Sequence, residues 1–141
     1  AKANRVSVQP GDVLPMHATA SGIAFLAFTE EHIRNGVLAG PLPAFTPCTI
    51  CDAATLAEHI AVARARGHST GTQGFEEGVM SVAAPILGAD GFAIGTIAVA
   101  APRVRIQKGD IERHGVSVAA AARDISERLF GRQSLPGRKR A

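Results

Sequence analysis

Two β-favouring runs, residues 79–87 and 92–101, are separated by only Gly88, Ala89, Asp90 and Gly91. A parallel crossover needs a dozen or more residues, so four can only return the chain as an antiparallel hairpin. Whatever else the chain does, it must pack around that pair of strands. With 141 residues it is the size of a single domain, and folding at this size buries enough surface for a core without staples.

The rest of the chain supplies mostly helices. Residues 5–9 alternate apolar and polar side chains and predict a short strand, stopped by Pro10 and Gly11. A helix is expected over residues 19–28. Thr29 is the expected N-cap of a second, short helix with Glu30 and Glu31 in its first turn, ended by Asn35 and Gly36. Pro41, Pro43 and Pro47 make the next segment an extended connection. Asp52 predicts the cap of a helix over residues 53–66 that buries Leu56, Ile60 and Ala63 and stops at Gly67. Residues 67–78 are rich in turn formers and read as a long loop, of the kind that often carries function. Asp110 then caps a helix to Phe130, closed by Gly131, with Ile111, Val118, Ala122, Ile125 and Leu129 as its apolar stripe. The order predicts an α+β domain with a largely antiparallel sheet flanked by helices. Two or three strands make a narrow sheet for so many helices, so the first strands of the domain are expected to lie upstream.

Charge and composition narrow the function. The net charge of +3 is exceeded by the four positive residues of the last ten, Arg132, Arg138, Lys139 and Arg140, which leaves −1 on the rest. The basic character belongs to a C-terminal tail, residues 132–141, and not to a nucleic-acid-binding face on the body, residues 1–131. No apolar run approaches the ~20 residues of a membrane span, and residues 1–10 do not resemble a signal peptide. The expectation is a soluble, cytoplasmic protein without a membrane partner.

Catalytic machinery is not legible. Ser21 lies in A-S-G-I, outside any nucleophile elbow, and the glycines form no phosphate or dinucleotide fingerprint. Glu76 and Glu77 are adjacent and would point apart if extended. No metal or cofactor site is expected. Cys48 and Cys51 form a C-x-x-C before a helix start, but the remaining ligands of a zinc site are missing. A thiol redox pair is the alternative function; small buried side chains are the default reading of the two cysteines. His17 is the one histidine expected at a pocket mouth, or else bonded to nearby backbone. More informative is a run of small residues, Ala18 to Gly22, where a helix should begin. It would leave amides bare for a ligand, or would merely allow close helix–sheet packing. With Ser81, Ala98 and Ala100 on the two strands, it predicts a small, mostly apolar pocket.

Three segments carry a resemblance: L-P-M-H-A-T-A-S-G-I-A-F-L-A-F from Leu14, F-T-P-x-T-I-x-D from Phe45, and G-V-M-S-V-A-A-P-I-L-G-A-D-G-F-A-I-G-T-I-A-V-A-A-P from Gly78. Together they resemble the C-terminal effector-binding domain of the IclR family of bacterial transcription regulators. That resemblance implies a GAF-like (profilin-like) fold and a non-enzymatic, small-molecule effector-binding domain. It also implies a homodimer or tetramer, with DNA bound only through an N-terminal winged helix-turn-helix absent from this chain. Carried over, the effector contacts fall on Ala20, Ser21, Gly71, Ser81, Ala98 and Ala100. Relatives that bind small carboxylates tend to have an acidic residue near Gly71 and hydroxyls near Ala98 and Ala100; the acidic cluster usual just before the end of the family's loop is replaced by Gln73 and Gly74, although Glu76 and Glu77 follow. Ile23 stands where a lysine is common. A pocket with fewer polar groups implies a more apolar or aromatic ligand.

Overall fold

The structure, a computed structural model, describes residues 6–131. The expected tail and residues 1–5 lie outside that range. The elements run α1 (Ala20–Phe28), α2 (Glu31–Ala39), α3 (Ala53–Arg66), β1 (Ser69–Thr72), β2 (Val79–Leu87), β3 (Ala93–Pro102), a short 3-10 turn, and α4 (Asp110–Phe130). The strands form one antiparallel sheet in the order β1-β2-β3. The hairpin is as expected, with Gly91 in the left-handed region at φ 85° and an irregularity in register between Ile86 and Leu87.

Alternation along β2 divides the molecule into layers. Val82 and Ala84 face α4 and pack with Val118 and Ala122. Ala83 faces the other way, against Ala20 and Ala24 of α1. Farther from the sheet, α1 presents Ile23, Leu26 and Ala27 to Leu56, Ile60 and Ala63 of α3. Pro85 is tolerated in β2 because it falls beyond the end of β1, where the strand has a single neighbour.

Several expectations need correction. Residues 6–9 form no strand: Ser7 N–H donates to the Glu76 carboxylate at 3.3 Å instead of entering a ladder. Helix α2 continues through Asn35 and Gly36 to Ala39, because Val37 and Leu38 pack on the α1–α3 core and outweigh the roughly 1 kcal/mol cost of a helical glycine. Its cap residue is Glu30, without a side-chain bond. Thr29 ends α1 instead, and Arg34 Nη1 donates to the carbonyls of Leu26 and Thr29 at 3.0 and 3.2 Å. The loop over 67–78 is partly a strand, since Ser69, Thr70, Gly71 and Thr72 pair with the edge of β2.

In α4, Gly109 occupies the cap position and Asp110 is the first helical residue, its carboxylate accepting from Gln107 N–H at 2.7 Å. The buried face of α4 runs through Gly115, Val118, Ala122 and Ser126, whereas Leu129 is 61% exposed. Ser126 is buried because its hydroxyl donates to the Leu87 carbonyl at 2.6 Å. Gly115 is required by the His68 ring, which a Cβ there would strike. The α3 expectation holds throughout: Asp52 caps it, Gly67 ends it at φ 83°, and Leu56, Ile60 and Ala63 are buried.

Candidate functional site

The thin run at the start of α1 turns out to divide its small residues between two tasks. Ala20, 1% exposed, and Ala24 lie against Ala83 of the sheet. Gly22 lies against the backbone of Met16, whose carbonyl leaves no room for a Cβ. These residues are small so that helix, sheet and incoming chain can approach one another. Ala18, Thr19 and Ser21 instead border open space. Thr19 is the N-cap: its hydroxyl accepts from Gly22 N–H at 3.0 Å and donates to the Pro15 carbonyl at 3.0 Å. The first turn carries no acidic side chain, so the positive end of the helix is not offset there.

Beneath this helix start, strand register lines up Gly71, Ser81 and Ala100 in a single row across β1, β2 and β3. The next row on the same face is Ser69, Ala83 and Ala98. Ser69 anchors the helix to the sheet, its hydroxyl donating to the Ala20 carbonyl at 2.5 Å. Between the rows and the helix start lies a cavity of about 150 Å³. Its walls include Ser21, Gly71, Ser81, Ala98 and Ala100. Five of the six residues expected at a site thus meet around one space. Ala20, the sixth, is buried behind the wall rather than part of it.

Several lining residues had no clear signal in the sequence. Val6, Val8 and Leu14 cover one side, and Gln73, Gly74, Phe75 and Glu76 form another. Gln73 is at φ 55°, an unusual conformation for a residue with a side chain. The turn it makes is closed by its own groups: its side-chain carbonyl accepts from Gly78 N–H at 2.9 Å, and its N–H donates to Val79 O at 2.9 Å. Gly74 is required by close approach, since a Cβ would stand 2.7 Å from the Ala18 carbonyl. The proline-rich connection holds the loop from outside. Thr46 and Thr49 hydroxyls donate to the carbonyls of Gln73 and Gly74, each at 2.6 Å. Phe75 meets Phe45 edge-on at 5.3 Å, and Phe45 lies 5.8 Å from the ring of His17. His17 is itself buried behind the cavity wall, within hydrogen-bond distance (2.8 Å) of the Pro43 carbonyl through Nε2. Adjacency was the one hint at Glu76: of two neighbouring glutamates, one faces the cavity and Glu77 is exposed.

Ile23 does not fill the space; it is buried in the α1–α3 core. Cys48 and Cys51 are both exposed thiols, contrary to the expectation of burial, because the connection they occupy turns outward before α3. Cys51 Sγ donates to the carbonyl of Thr49, two positions before it, at 3.4 Å. Among the described residues no cluster of side chains is arranged to hold a metal ion, and no helix is long and apolar enough to cross a membrane.

Residues 1–127 match the family described as bacterial transcriptional regulator IclR, C-terminal. The chain is 31% identical over 123 residues to the transcriptional repressor IclR of Escherichia coli K12, covering 86% of this chain and 45% of the repressor. The crystal structure of the IclR protein of Thermotoga maritima aligns with a TM-score of 0.83 at 26% identity, over 90% of this chain and 51% of that one. An IclR homologue from Microbacterium hydrocarbonoxydans, crystallised with 4-hydroxybenzoate, aligns with a TM-score of 0.74 at 27% identity, over 87% of this chain and 50% of that one. The chain spans less than half the length of the curated relatives named first by similarity. Sequence match and structural similarity agree, and the chain belongs to the IclR family of bacterial transcriptional regulators, corresponding to the C-terminal domain of its members.

Proposed function

We propose that this domain binds a small aromatic acid in the cavity under α1 and serves a transcription regulator as its effector-sensing part. The observation that carries this reading is the row Gly71, Ser81, Ala100 set beneath a helix N-terminus that no acidic side chain occupies. The helix start offers amides and a positive dipole to a carboxylate. The walls opposite are largely aliphatic or aromatic, with Val6, Val8, Leu14, Phe75 and Val79. A volume of about 150 Å³ lies below the roughly 300–1,000 Å³ of drug-sized sites. It therefore suits a single ring rather than a larger ligand. The benzoate held by the homologue from Microbacterium hydrocarbonoxydans is of that class.

The effector contacts in this reading are Ser21, Gly71, Ser81, Ala98 and Ala100, while Ala20 packs behind them and holds the helix start against the sheet. Binding would bias the arrangement of subunits in a homodimer or tetramer, and through it a DNA-binding domain elsewhere in the regulator. Thermal-shift measurements with benzoate, 3- and 4-hydroxybenzoate, glyoxylate and pyruvate test the ligand class. The aromatic acids are expected to raise the melting temperature in a saturable manner, and the two small oxo acids to do so far less. Stabilisation by glyoxylate or pyruvate equal to that by the benzoates would overturn the aromatic assignment.

A further inference from the structure

Glu76 is the one charged side chain in the described wall of the cavity. One carboxylate oxygen accepts from Ser7 N–H at 3.3 Å, and no other described group bonds to it. Its polar neighbours are already engaged: Gln73 holds Gly78 N–H, while Thr19 is shared between Gly22 N–H and the Pro15 carbonyl. The hydroxyls of Ser21 and Ser81 remain, and each can either donate or accept. A carboxylate can only accept. Set among Val6, Val8, Phe75 and Val79, it depends on water for the rest of its hydrogen bonds while the cavity is empty.

Glu76 is half-buried and its bond to Ser7 is exposed to solvent, so a ligand that fills the cavity removes only the water on the cavity side. A donor on the ligand replaces that lost solvation, whereas a ligand without one leaves the charge less well solvated than before. We propose that Glu76 makes the cavity selective for an aromatic ligand that bears a hydrogen-bond donor, a phenolic hydroxyl or an amine, and against the same ring bearing a second carboxylate. This rests on the cavity being the effector site, and adds to it a rule for the ligand's second substituent. The helix start receives the acid group, and Glu76 reads the donor. The adjacent Glu77 is exposed and takes no part.

Calorimetric titration of the chain, of Glu76→Gln and of Glu77→Gln separates these roles. The probes are benzoate, 3-hydroxybenzoate, 4-hydroxybenzoate, 4-aminobenzoate and terephthalate. Glutamine keeps an acceptor for Ser7 N–H, so the N-terminal segment stays anchored while the charge is lost. In the wild-type chain at least one donor-bearing benzoate should bind about tenfold more tightly than benzoate, with terephthalate weakest. Glu76→Gln should reduce that preference to within about threefold and improve terephthalate, because its amide can donate. Glu77→Gln should keep the wild-type order. Equal affinities of the wild-type chain for benzoate and every donor-bearing probe overturn the Glu76 inference alone, as does an unchanged order in Glu76→Gln. Failure of every probe to bind all three proteins overturns the aromatic-effector reading, and this inference with it.

Discussion

Gly71 and Ser81 stand directly opposite one another in β1 and β2, and a Cβ added to Gly71 would lie 2.7 Å from Ser81 Oγ. The same Cβ would come within 3.1 Å of Ala20 N and 3.3 Å of its Cβ. The glycine thus lets sheet and helix start approach closely beside the cavity. Its backbone is not in the left-handed region, so the constraint is space and not conformation.

Gly71→Ala is expected to lower stability by about 1–3 kcal/mol through overpacking. In a Ser81→Ala background the cost should shrink, because one of the three opposing atoms is gone; the remaining two keep it above zero. Urea denaturation of the single and double variants measures the coupling. Additive costs would show that the alanine is accommodated without touching Ser81.

Gly22→Ala offers a contrast of sign. In an exposed helix this change stabilises by about 1 kcal/mol. Here the new Cβ would meet the backbone of Met16, which cannot rotate away as a side chain does. A net loss of about 1–3 kcal/mol is expected by thermal or chemical denaturation. A gain in stability would mean that the chain entering α1 is free to shift.

Thr49→Val tests the hold on the cavity loop. The hydroxyl donates to Gly74 O at 2.6 Å and accepts from Phe45 and Thr46 N–H at 3.0 Å each. Its removal leaves those groups to water, at a cost of about 1–3 kcal/mol. Hydrogen exchange should accelerate over residues 73–79 more than in α3 or α4. Uniform acceleration would place the effect in global stability instead.

Asp52 gives a pH signature. Its carboxyl is held below the ordinary value of 3.8, first by the bond from Thr55 N–H and then by the one from the Thr55 hydroxyl, both at 2.9 Å. With the folded value depressed, the unfolded chain takes up the proton first as pH falls. The stabilising contribution is thus fully present above the unfolded value and disappears as pH drops through the folded one. Asp52→Asn retains a capping group that does not titrate. The stability difference between wild type and variant should be constant at neutral pH, then change as pH falls below the ordinary carboxyl value of 3.8, in the direction of a relatively weaker wild type. A difference independent of pH throughout would remove the capping role of the charge.

Residue patterns alone determined the hairpin, α3 with its cap and stop, and the extent of α1 and α4, because each depends on contacts a few residues apart. They also pointed to Ala20 and Ser21 in the small-residue run and to Ser81, Ala98 and Ala100 on the strands, whereas Gly71 came only from the resemblance. Tertiary structure decided what local propensity could not. Thr29 and Asn35-Gly36 look like helix boundaries until Val37 and Leu38 find the α1–α3 core. Ser69, Thr70, Gly71 and Thr72 look like loop until the edge of β2 supplies hydrogen-bond partners. Ala18 to Gly22 look uniform, yet packing assigns Ala20 and Gly22 to close contact and Ser21 to the cavity. Glu76 reaches the cavity because Thr46 and Thr49, more than twenty positions earlier, hold the loop that carries it, and Ser7 N–H meets its carboxylate from 69 positions away. Such pairings are written in distances across the fold, where close packing and the need to satisfy polar groups select among locally equivalent residues.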